Sequence, residues 1–300
     1  MSVLSQWEAL PNRIFITLEY INSFGEKGVK RQDLKRQLQV NVRPTPTGGG
    51  TVKEDRHYDA VVNANLGEIQ RMDFISKNQD ESIVLNKKYF NEKSSKNLNE
   101  IVYPLLFKKL TDSKESKKFG QDEVPDNIAF LLCMDPFKPL KWTGNEYNDK
   151  KNNQLKEKNE HLKNDMNDDR IKNLVRWTNY LGFSTMIEKD FFIPDPTVAL
   201  ERKLPFIFGQ SKNLPVVDFI RNMGEQIPVM EGGDVHKGLQ SNMKEEYVLQ
   251  NNQFAKSTSL ALKRLEERGK ITFDSKSDGT TGTIDFGHDN KHLITHIKIH

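Results

Sequence analysis

The stretch STSLALKRLEERGKITFDSKSDGTTGTIDF, residues 257–286, decides the fold class. Ser257, Thr258 and Ser259 supply helix-capping hydroxyls, and Leu260, Ala261 and Leu265 repeat at helical spacing. Gly269 stops the helix over Ser257–Arg268, and Ile271–Phe273 starts a strand at once. Asp278 and Gly279 form a hairpin dipeptide, so Thr283–Phe286 is expected to return beside Ile271–Phe273 as a β-wing. A last strand follows over Leu293–Ile299. A helix that ends at glycine and feeds a hairpin is how a winged helix presents its third helix to a groove.

Upstream of this unit, the helix Ile171–Leu181 carries Leu174, Val175, Thr178 and Leu181 on one face, with Trp177 on its flank, and stops at Gly182. Strands are expected over Phe183–Ile187 and Phe191–Ile193. Asp195 then caps a helix Pro196–Leu204 that Pro205 stops. The helix Pro215–Met223 ends at Gly224, and polar residues carry the chain on to Ser257.

The amino-terminal part repeats the order. Pro11 and Asn12 open a helix on Ile14, Phe15, Leu18 and Ile21, closed by Gly25, and Arg31–Gln39 forms a second. Asn41–Asp59, with Pro44, Pro46 and Gly48–Gly50, reads as a flexible loop. A third helix over Tyr58–Ile69 precedes two strands, Met72–Ile75 and Ile83–Leu85. A further helix within Leu98–Leu110 is broken or started at Pro104.

Between the units, Thr111–Pro125 reads as a linker before an apolar helix near Asp126–Met134. Asn145–Arg170 is dense in charge, with Leu155, Leu162 and Met166 spaced seven and four apart. A short coiled-coil arm and an unstructured connector both fit it. The expected architecture is α+β and mostly helical, with tandem winged-helix-like domains joined by charged linkers. The domains are an N-terminal one over 1–110, a helical and charged linker over 111–168, and a C-terminal one over 169–300.

Composition limits the partners. The 300 residues carry 45 basic against 42 acidic side chains, so whole-protein steering toward nucleic acid is weak and any affinity rests on local patches. No window reaches the ~18 apolar residues of a membrane span. Met1–Pro11 lacks the apolar core of a signal peptide. With Cys133 as the one cysteine, no internal disulfide forms, which fits a reducing cytoplasm.

Two basic patches stand out. Lys256, Lys263, Arg264, Arg268 and Lys270 surround the C-terminal helix, Lys276 sits in the wing, and Ser257–Ser259 are placed to donate to phosphate. Glu266, Glu267 and Asp274 offset that excess, so a solvated surface fits as well. Lys27, Lys30, Arg31, Lys35 and Arg36 are opposed only by Glu26 and Asp33, a denser patch with the same two readings.

Sites of chemistry are not expected. Asp195, Glu201 and Lys203 spell a PD-ExK nuclease, but a helical Glu201 and Lys203 point to different faces. Glu231, Asp234 and His236 surround a glycine turn without a second histidine at i+4. His288, His292, His296 and His300 stand ~13 Å apart along a strand, too far for one ion. Gly48–Gly50 lacks the GK[ST] ending of a phosphate loop. Cys133 reads as core, and Trp7, Trp142 and Trp177 as core or interface anchors. No cofactor or metal is expected, and the chain is not expected to be an enzyme.

Several blocks resemble one family. They are Trp177-Thr-Asn-Tyr-Leu-Gly-Phe183, Ile193-Pro-Asp-Pro-Thr197, Asp218-Phe219, Ile227-Pro-Val229 with Glu231-Gly-Gly233, and Ser259-Leu260 through Gly269 with Ser277-Asp278. These are similar to DpdG, an accessory protein of bacterial cassettes that insert 7-deazaguanine into DNA and restrict unmodified phage DNA. The likeness covers mainly residues 170–300 and draws nothing from the amino-terminal half. It implies a role in phage defence beside modification and restriction enzymes. The expected partners are double-stranded DNA and other defence-complex proteins. The alternative is a subunit that grips a partner ATPase or SMC-like protein without reading DNA.

Overall fold

A computed structural model describes the chain apart from residues 1, 7, 42–51, 91–96, 157–161, 163–164, 189, 278 and 288–289, and apart from the side chains of 39–41 and 52–59. Among the described residues it is α+β and 53% helical, with 12 helices and small antiparallel sheets. Among the described residues, no helix is long and apolar enough to cross a membrane.

The first unit opens with α1 (Pro11–Ser23). Pro11 sits at its first position, where a missing N–H costs nothing, and Ile14, Leu18 and Ile21 are fully buried. A 3-10 turn, Gly25–Lys27, leads to α2 (Arg31–Asn41), then α3 (Val52–Arg71), β1 (Ile75–Lys77) and β2 (Ile83–Leu85). β1 and β2 pair antiparallel, with Ser76 opposite Val84. Val29, just ahead of α2, bridges Ile83 on the other side of β2. Gly28 permits that approach: a Cβ there would stand 2.7 Å from the Ile83 carbonyl oxygen, and its φ is +67°.

The middle of the chain is built rather than loose. It forms α4 (Leu98–Thr111), α5 (Ser113–Lys118), α6 (Glu123–Leu132), β3 (Leu140–Lys141) and α7 (Gly144–Gln154). α4 runs through Pro104 without breaking. Where a linker was expected, Asp112 caps α5 by accepting from the Lys114 and Glu115 amides at 2.8 and 3.0 Å. α6 is buried along most of its length and lies against α4 and α5 and against the later helices at 168–181 and 234–242. Leu155, Leu162 and Met166 are buried in the chain's own core, so the described part of Asn145–Arg170 is no projecting coiled-coil arm.

The last third comprises α8 (Asp168–Leu181), β4 (Ser184–Glu188), β5 (Phe191–Pro194), α9 (Thr197–Phe208), β6 (Asn213–Pro215), α10 (Val216–Gln226), α11 (Asp234–Asn242), α12 (Lys256–Glu267), β7 (Ile271–Asp274), β8 (Gly282–Asp285), β9 (Lys291–Ile294) and β10 (His296–Ile299). Its sheets have the orders β3-β5-β4, β6-β10-β7 and β8-β9. The predicted return strand is therefore wrong: β7 pairs with β10, Ile271 facing Ile299, while β8 pairs with β9. Burial explains the choice, because Ile297 of β10 is fully enclosed between β6 and β7. α9 passes through Pro205 to Phe208 instead of stopping. α3 begins at Val52, inside the expected loop, whose Gly48–Gly50 lie outside the described residues.

One apolar core runs from Val3 to Ile297. Trp177 lies fully inside it, not on a flank, and its indole N–H donates to the Ala9 carbonyl at 3.1 Å. The Asn173 amide donates to the carbonyls of Val3 and Leu4, and Tyr103 donates to that of Leu181 at 2.8 Å. α8 is thus the post against which the first and last thirds pack.

Candidate nucleic-acid interface

The C-terminal helix α12 is enclosed along nearly its whole length: between Lys256 and Glu266 no residue is exposed. Its expected capping residues face inward. Ser257 donates to the Leu132 carbonyl, and Ser259 accepts the Asp285 amide at 3.0 Å. Glu231, fully buried, accepts the Ala255 amide at 2.6 Å and the Thr258 hydroxyl at 2.9 Å. The position where a helix N-terminus holds a phosphate is filled by the protein's own carboxyl group. Burial raises the Glu231 pKa, and these donors oppose that rise. The reading of Ser257–Ser259 as phosphate donors is therefore corrected.

The cations around α12 are partnered within the fold. Lys256 pairs with Asp135 at 2.9 Å, Lys263 with Glu266 at 2.7 Å, and Arg264 with Asp195. Arg268 and Lys270 share Glu201 at 2.9 and 3.1 Å. Lys276 is exposed beside Asp274, which pairs with Lys298. The nuclease-like letters come apart in the same geometry. Asp195 serves Arg264, Thr185 and the Thr197 amide, while Lys203 lies over the rings of Phe107 and Phe206.

Among the described residues, no group of three His, Cys, Asp or Glu side chains is placed to hold a metal ion. His292, His296 and His300 each bond a different neighbour, Asn290, Thr295 and Thr272. His288 lies outside the described residues. His236 is buried with no partner at Nε2, and burial lowers its pKa to about 4. Cys133 is half-buried, and burial pushes its thiol up to about 12, which disfavours the thiolate.

The amino-terminal patch is open. Lys27, Lys30, Arg31 and Arg36 are exposed and Lys35 is half-buried. Lys30 pairs with Asp80 at 2.9 Å, and Arg36 sits 3.8 Å from Asp33. Arg31 donates to the Asn63 carboxamide oxygen at 2.9 Å, and Lys27 has no ion pair among the described residues. Such exposed pairs are worth little and yield readily to a polyanion.

Beside these cations lies a face that sequence reasoning missed. The exposed residues of the described part of α3 are Ala60, Asn63, Gly67 and Gln70, all uncharged. Next to it a cleft of about 370 Å³ runs between α2, α3 and the β1–β2 hairpin. Leu66, Ile75 and Ile83 form its floor, and Lys30, Arg31 and Lys77 stand at its rim. Amides and a glycine on a helix look like ordinary surface until their shared face is known. The signal available was their spacing of three and four residues.

A family model described as DpdG-like matches residues 1–279. The match includes the amino-terminal half, which the sequence blocks did not reach. No curated protein and no solved structure matches the chain.

Proposed function

This chain belongs to the DpdG-like family, and on that premise we propose that it is a non-catalytic, cytoplasmic accessory subunit of a bacterial antiphage defence system, holding duplex DNA through its first unit. The family points to a role in a DNA-modification system. The observation that carries the DNA reading is the surface of the first unit, where an uncharged helical face is bordered by exposed cations.

We read both units as winged-helix-like, the last with one additional helix, α11. In each, the residue or strand ahead of the second helix (Val29, then β6) pairs with the last strand (β2, then β10). That last strand also pairs with the strand following the last helix of the unit (β1, then β7). Winged helices of this order present the third helix to the major groove and the hairpin to the backbone. In the first unit the third helix is α3, whose face is open. In the last unit the helix ahead of β7 is α12, which follows the additional helix α11; it is enclosed, and the cations around it are engaged by Asp135, Asp195, Glu201 and Glu266.

That enclosure favours a second reading for the C-terminal unit, a contact with a protein partner such as an ATPase or SMC-like subunit. Binding of the full chain to a labelled 30-base-pair duplex tests the main proposal. Affinity falling steeply between 50 and 200 mM salt supports it, and absence of binding at 50 mM contradicts it. Incubated with duplex and Mg²⁺, the protein alone leaves strand length and base composition unchanged. Cleavage or a new base would contradict the non-catalytic part.

A further inference from the structure

Resting on that DNA reading, we infer that the Ala60–Asn63–Gly67–Gln70 face of α3 reads base edges in the major groove, with Asn63 and Gln70 directed at adenine. Helical geometry places these four side chains within one face. Asn63 and Gln70 stand about 10 Å apart along the axis, close to three base-pair steps.

Gly67 sits at the centre of this face, between Asn63 and Gln70. A glycine inside a helix is less stable than alanine there and needs a reason. No atom of the protein lies within 4 Å of the place its Cβ would take. Gly238 in α11 is equally open, so the space alone names no partner; at Gly67 it lies between two exposed amides and leaves the backbone there open to close approach by a groove.

The amides on either side are prepared for such a partner. The Arg31 guanidinium donates to Asn63 Oδ1 at 2.9 Å and fixes the carboxamide, leaving its N–H donors and one lone pair free. Gln70 is exposed, and its carboxamide makes no hydrogen bond among the described residues. A side-chain carboxamide matches adenine, donating to N7 and accepting from N6. Arg31 borders the face through Asn63, and Lys30 and Lys77 stand at the adjoining cleft in exposed pairs with Asp80 and Glu81, which a polyanion would displace to bring its phosphates beside them.

The test selects duplexes carrying 20 randomised base pairs on the full chain, then compares the selected duplex with one in which its A·T pairs are replaced by G·C. Selection should enrich A·T pairs about three steps apart, with a preference of about tenfold or more over the replaced duplex. N63A and Q70A should each reduce that preference toward one while leaving the salt dependence intact. G67A should raise Tm by about 2 °C and still weaken binding to the selected duplex. If no motif is enriched, or the variants keep the full preference, the face does not read bases and the backbone-binding proposal survives. If the wild-type chain binds no duplex at low salt, the DNA reading itself fails and this inference with it.

Discussion

The Glu231 carboxyl accepts the Thr258 hydroxyl at 2.9 Å and so closes the N-terminus of α12 from inside the protein. A helix start is the natural seat of an anion, and here that place is taken by a carboxyl group supplied across the fold from the turn before α11. This contact distinguishes the two ends of the chain structurally: α12 is closed at its start, whereas the described part of α3 keeps an exposed face.

Replacing Glu231 by alanine leaves the buried Ala255 amide and Thr258 hydroxyl without their acceptor. We expect a loss of about 2–3 kcal/mol in urea unfolding. Glu231→Gln keeps an acceptor and should lose less. Because the folded pKa of Glu231 is raised above its ordinary 4.5, the stability it contributes is present below that pH and lost as pH rises through the folded value. The stability difference between wild type and Glu231→Gln should therefore turn against wild type as pH rises above 4.5. A pH-independent difference would contradict the burial argument.

His236 gives the opposite slope. Its Nε2 has no partner in the fold, and burial lowers its pKa from 6.5 to about 4, which favours the neutral ring. The unfolded chain takes up the proton first, so stability present above pH 6.5 is lost as pH falls toward 4. The full loss is on the order of 3 kcal/mol. His236→Phe should remove that part of the acid sensitivity, read from urea midpoints at pH 7 and pH 4.5. A variant as acid-sensitive as wild type would show that His236 is protonated in the fold.

Trp177 ties α8 to the amino-terminal segment through the Ala9 carbonyl. Trp177→Ala should cost about 3–5 kcal/mol, through the cavity and the broken bond. If α8 is the post that joins the thirds, far-UV and tryptophan signals of wild type will lose structure in one urea transition. A first unit that melts independently of the rest would contradict that role.

Much of this was legible in the chain. α1, α2 and α12 were found within about two residues, because Pro11, Gly25 and Gly269 punctuate the chain and their apolar residues repeat at helical spacing. The partner of β7 was not. The Asp278–Gly279 pair signals a nearby return, whereas the strand that pairs with β7 is chosen by the burial of Ile297 and by β6 on its other side. Glu231 and His236 read as polar turn residues, since nothing local reveals that a later helix will cover them. The candidate site divided in the same way. Charge counting marked Lys27–Arg36 as a patch and could see Glu266 three residues after Lys263, but the engagement of Arg264 by Asp195 is a tertiary fact. The amide face of α3 carries no charge to count.

The central claim is that the first unit, and not the last, holds duplex DNA. The direct test is the salt dependence of duplex affinity for wild type, K35E/R36E and K276E. If the five cations from Lys27 to Arg36 meet phosphates, log K against log salt for wild type should have a slope of about −4. K35E/R36E should lose at least tenfold in affinity and reduce that slope by about 2, while K276E binds as wild type does. Unchanged affinity in K35E/R36E, or a loss confined to K276E, would contradict the account.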